Sequence, residues 1–182
     1  MKDAKTFDNP SYYEQFNWKA PKSELLEHLE DMVYYKTIEE MKKISRKYIL
    51  LTVPNGEIIE KDFIECPNCG QIFNRSYHLR SLSENKIKEC FSGYRLVQSF
   101  EYGSGKRGYS PFLLKIKHRL APSSSWIPNY WTRNQSRETM CPRCEIRFTY
   151  GYRFDVLGLL CDFLNIVLSP HKPYWLFVLL GK

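Results

Sequence analysis

The stretch TIEEMKKISRKYILLTVPN, residues 37–55, changes its hydrophobic period half-way along. Leading into it, Leu25, Leu26, Leu29, Val33, Ile38, Met41 and Ile44 recur at three- and four-residue steps with charges between them. That is helical periodicity, and a break near 30–34 divides it into two short helices. KYILLTVPN, 47–55, is instead a continuous run rich in β-formers, stopped by Pro54-Asn55-Gly56. A buried strand after an amphipathic helix makes an αβ unit and points to a parallel sheet.

Downstream the punctuation is regular. Ser83 is placed to cap a helix from Glu84 to about Phe91, with Gly93 ending it. YRLVQSFEY, 94–102, reads as the next strand and GSGKRG, 103–108, as a turn. Ser110-Pro111 opens a helix to about Leu120, with cap and first-turn proline in the preferred order. Residues 121–137 form a long loop holding Trp126 and Trp131; it either covers a ligand or packs within an insertion. FDVLGLLCDFLNIVL, 154–168, is an apolar helix, and KPYWLFVLLGK closes the sequence as a strand.

Composition narrows the class. The 182 residues are 43% hydrophobic, which excludes disorder over the whole chain. The net charge of +7 is spread among acids rather than gathered in a stripe, so nucleic acid is disfavoured as a partner. The 154–168 run is shorter than the ~20 residues of a membrane span and contains Asp162, so a buried helix is expected and no transmembrane segment. MKDAKTFDNPSYYEQ lacks the apolar region of a signal peptide. A cytoplasmic location follows, where CxxC pairs favour metal over disulfide.

CPNC at 66–69 cannot belong to a two-histidine finger, because after His78 the next histidine is His118. Its partner is CPRC at 141–144. Two such turns, from Cys66, Cys69, Cys141 and Cys144, complete a tetrahedral four-thiolate site suited to zinc. Each turn is followed by an aromatic, Phe73 or Phe148, so the pair reads as zinc-ribbon knuckles with other structure inserted between them. Such a closed site is structural. His78 is a ligand only if one cysteine is not. Cys90 and Cys161 sit in apolar helical patterns and read as core thiols.

SELLEHLED, 23–31, followed by residues 37–55, resembles the second half of class I S-adenosylmethionine-dependent methyltransferases. HLRSLSENKIKECFSGYRLVQSFEYG, 78–103, is similar to that family's next segment, helix and sixth strand, and PYWLFVLLGK to its seventh, which runs antiparallel beside the sixth. The resemblance implies an α/β fold: a partial, Rossmann-like methyltransferase sheet across 22–182, after a lead-in at 1–21. Insertions at about 56–77 and 104–172 would form the zinc ribbon and a lid. It also implies that Glu24 and His28 line a pocket, sharing one helix face, with His28 as base on an acceptor hydroxyl and Glu24 orienting it. Glu24 and Asn55 would border the cofactor, Asn55 at the carboxyl end of its strand. Surface, capping and turn roles compete for all three.

The family's cofactor loop is missing. Residues 1–21 contain no glycine, and a single βαβ unit needs roughly 30 residues. GSGKRG does not match a phosphate loop. The expectation is a methyltransferase-like protein acting on a small molecule or glycan and needing a partner chain, through deletion, splitting or truncation. S-adenosylmethionine is then bound only with that partner. A truncated sheet exposes a strand edge, so self-association or a partner is expected. The competing reading is a non-enzymatic zinc-ribbon module that binds protein or nucleic acid.

Overall fold

A computed structural model describes residues 25–128 and 137–182. Glu24, Trp131 and the 1–21 lead-in lie outside the described residues. The chain is mixed α/β. A short 3-10 turn, Leu26–His28, precedes helix α1, Asp31–Ile44, and strand β1, Tyr48–Pro54. Strands β2, Phe63–Glu65, and β3, Ile72–Asn74, form a first small hairpin. Helix α2, Glu84–Cys90, leads into the long strand β4, Arg95–Arg107. Helix α3, Pro111–Leu120, is followed by a second small hairpin of β5, Glu138–Met140, and β6, Arg147–Thr149. Helix α4, Val156–Leu168, and strand β7, His171–Gly181, complete the order.

The main sheet has the order β1-β7-β4, with β7 antiparallel to both neighbours. The expected parallel sheet is corrected: β1 and β4 share a direction, but β7 separates them. Among the described residues the parallel pairing is the lone bridge Asn55–Leu82. Alternation along the strands explains how the sheet sits. Ile49, Leu51 and Val53 of β1 and Leu176, Val178 and Leu180 of β7 point to one face, where Tyr34 and Ile38 of α1, and Ile87 and Phe91 at α2, close over them. Fully burying a side chain of this kind contributes about 1.5–3 kcal/mol. The opposite face is open: Leu50 is 64% exposed and Phe100 49%. Phe100 stacks there on Phe177, ring centres 4.7 Å apart.

Two local expectations change. All of GSGKRG but Gly108 is part of β4, not a turn: Gly105, Lys106 and Arg107 pair with Pro173, Lys172 and His171, beyond an irregularity after Tyr102. Gly103 packs beneath Trp175, where a Cβ would lie 2.9 Å from Cδ1. The 154–168 helix is not buried all round. Gly158, Cys161 and Asn165 face inward, while Val156, Leu160, Phe163, Leu164, Val167 and Leu168 are exposed. The inward stripe is polar because it answers α3: Lys117 Nζ donates to Asp162 Oδ1 at 2.7 Å and to Trp126 O at 2.9 Å, and Tyr109 Oη donates to Asp162 Oδ1 at 2.7 Å. Burial pushes the Lys117 ammonium down in pKa, with Asp162 opposing. No described helix is long and apolar enough to cross a membrane.

Candidate metal centre and the strand-end cluster

Each CPxC turn sits at the tip of one small hairpin, and the two turns share a backbone design. Gly70 N donates to Cys66 O, and Cys66 N to Gln71 O, both at 2.9 Å. Glu145 N donates to Cys141 O at 2.9 Å, and Cys141 N to Ile146 O at 3.0 Å. The residue four past the first cysteine is left-handed in both, Gly70 at φ +68 and Glu145 at φ +59. That conformation frees the amides to wrap the sulfur, and glycine adopts it without a Cβ penalty.

The wrapped turns bring all four sulfurs together. Cys66–Cys144 and Cys69–Cys141 are each separated by 3.6 Å, far beyond a disulfide bond. A tetrahedron built on Zn–S bonds of about 2.3 Å has edges of about 3.8 Å, so the donor set fits a metal such as zinc. Cys66 and Cys141 are buried, and Ile64 and Phe73 pack around them with Ile127, Phe148 and Tyr150. The Ile146 amide, opposed by burial, and contacts with Asn68 and neighbouring sulfurs hold Cys144 down to about 6. At Cys69 the Gln71 amide favours the thiolate, yet burial and the other three sulfurs push the thiol up to about 12. Four thiolates without a cation repel one another, and a dication removes that conflict.

The remaining candidates gather at the carboxyl end of β1. His28 Nδ1 donates to Tyr77 O at 3.3 Å, and its ring meets the His78 ring edge-on, centres 4.7 Å apart. Burial, reinforced by His78, pushes His28 down to about 4, so the imidazole is neutral near pH 7. His78 Nδ1 bonds Glu57 Oε2. Glu27, 1% exposed, completes the group, and burial pushes its carboxyl up. Asn55, two residues before Glu57, uses its side-chain amide to donate to Pro173 O at 3.3 Å. Gly56, Glu57, Lys61, Lys106 and Tyr174 line a basic recess beside it.

His78 comes to this place through a turn. Asn74 Oδ1 accepts from Ser76 N at 2.8 Å, and Tyr77 takes φ +59. Tyr77 Oη then donates to Met140 O at 2.9 Å and accepts from Met140 N at 3.0 Å. The second cysteine hairpin therefore anchors the turn that presents His78. Leu79 N donates to Glu27 O at 2.7 Å, which fixes the two segments together.

The structure thus joins the four cysteines as expected, and places Cys161 in the interior at 3% exposure. Cys90 is half-buried against Tyr34 Oη at 3.2 Å. Trp126 is a packing residue, buried against His118 with Nε1 donating to Ala121 O at 3.1 Å. Glu27, Glu57 and His78 were not legible as one group: no spacing signal links positions 27, 57 and 78. No family model, curated protein or solved structure matches the chain.

Proposed function

We propose that this chain is the acceptor-side half of a class I methyltransferase-type protein, with the cofactor-binding half supplied by another polypeptide or segment. The observation that carries the reading is β7 running antiparallel beside β4, the arrangement the resemblance implies for strands seven and six. On this reading the two cysteine hairpins are paired zinc-ribbon knuckles stapling the insertions. The outer edge of β1, which pairs only with β7 among the described residues, and the open face around Leu50 and Phe100 receive the missing half.

The described residues contain no glycine-rich loop joining a strand end to a helix, so they do not fit S-adenosylmethionine alone, and no step is derived through it. The acceptor, a small molecule or glycan, would meet its hydroxyl partner at the end of β1, where open α/β sheets bind ligands. On this reading the resemblance assigns the acceptor to His28, whose Nε2 is buried in this chain alone.

The test uses a lysate of the native cells from which the chain has been removed. Methyl-labelled S-adenosylmethionine and a panel of polyol and glycan acceptors are added. Label should enter an acceptor when the intact chain is restored and not with H28A. Incorporation that ignores the chain, or is equal with H28A, contradicts the reading. Saturable micromolar binding of S-adenosylmethionine by the chain alone contradicts the shared-site part.

A further inference from the structure

We propose that Glu27, His28 and His78 form a second metal centre, separate from the cysteine site, that binds a first-row divalent transition cation with open coordination positions. Each residue offers a ligand atom, and these atoms lie within 4.8 Å of one another. Both carboxylate oxygens of Glu27 are buried with no hydrogen-bond partner outside their own residue, whose backbone amide favours the charged form. An unpaired buried carboxylate is costly, and pairing with a cation is one way to resolve it.

The rings around it are prepared as ligands. His28 uses Nδ1 on the Tyr77 carbonyl and His78 uses Nδ1 on the Glu57 carboxylate. With Nδ1 protonated, Nε2 carries the lone pair in each ring. Glu57 therefore stands behind His78 as an orienting carboxylate, the arrangement that raises ligand basicity and fixes ring orientation. Two imidazoles and one carboxylate suit zinc, iron, cobalt, nickel or manganese rather than the all-oxygen preference of magnesium or calcium. Three protein ligands leave positions for water or an oxygen donor, unlike the closed thiolate site. The centre rests on the donor set alone and not on the methyl-transfer reading; a cation bound at His28 Nε2 takes the lone pair that reading gives to the acceptor.

The experiment titrates the full chain, zinc-loaded at its cysteines, with cobalt(II) alone, followed by calorimetry and visible spectroscopy. One further equivalent should bind without thiolate charge-transfer bands. E27Q and H78Q should each lose that equivalent while keeping the cysteine-bound zinc. E57Q should bind it roughly 10–100-fold more weakly. E27Q should also gain no melting temperature from added cobalt, where the wild type does. If H78Q does not fold, H28N serves as the second ligand variant. The proposal is overturned if the wild-type chain takes up no second equivalent, or if E27Q binds cobalt as the wild type does.

Discussion

Replacing Tyr77 by phenylalanine isolates the link between the cysteine hairpins and the strand-end cluster. The ring can keep its contact with Phe73, centres 5.9 Å apart, so packing is conserved. The hydroxyl is lost, and with it the bond to Met140 O at 2.9 Å and the acceptor for Met140 N at 3.0 Å. Met140 is 8% exposed, so water does not readily replace that acceptor. A buried amide left unsatisfied costs about 1–3 kcal/mol, and the lost carbonyl bond about 1 kcal/mol more. Y77F should therefore destabilise the zinc-loaded chain by roughly 2–4 kcal/mol, or about 5–15 °C in melting temperature for a chain of this size. Calorimetric melting with zinc content measured on the same samples reads both effects. Zinc should stay bound, because no sulfur is touched. A Y77F melting point within about 1 °C of wild type would refute the idea that Tyr77 carries the coupling.

Further outcomes follow from buried charge. D162A leaves the Lys117 ammonium, 1% exposed, with Trp126 O and the Tyr109 ring but no anion, and should cost about 3–5 kcal/mol. The double variant K117M/D162L should cost less than K117M or D162L alone, which urea titration of these three variants checks; additive losses would contradict a buried pair. For pH, His28 titrates near 4 in the folded chain against an ordinary 6.5. Above pH 6.5 neither state binds the proton; as pH falls from 6.5 to about 4 the unfolded chain takes it up first, so stability is lost on acidification. After discounting for partial solvent screening this amounts to about 2 kcal/mol. H28N should lack that part of the slope, measured as the difference in urea midpoint from wild type at pH 7 and pH 5 with no metal added. Equal slopes would remove the assignment.

What could be read from the sequence was what local chemistry encodes. Ser83 does cap its helix, its hydroxyl accepting from Lys86 N at 3.4 Å, and Ser110-Pro111 does open the next one. The four cysteines announced their site because each CPxC turn is self-contained. The extension of β4 through GSGKRG was hidden, since Gly103 and Gly105 look like turn residues until the partner segment 171–175 is known. Those glycines are places where Trp175 and His171 press against the backbone. The α4 helix misled for a related reason: its Leu, Val and Phe positions promise burial, but the inward stripe is set by Lys117, 45 residues away from Asp162. By the resemblance, His78 marks the point where the chain resumes after an insertion. Its pairing with His28 and Glu57 depends on the left-handed Tyr77, a non-glycine residue that nothing local in the sequence marks.

Four sulfurs from two hairpins distant in sequence form a donor set for one metal ion. Elemental analysis of anaerobically purified wild type and C141S, with cobalt substitution of both, tests it most directly. The wild type should retain zinc and show tetrahedral thiolate-to-cobalt bands, and C141S should lose that zinc and those bands together. Zinc near zero in the wild type, or cobalt bands unchanged in C141S, would contradict it.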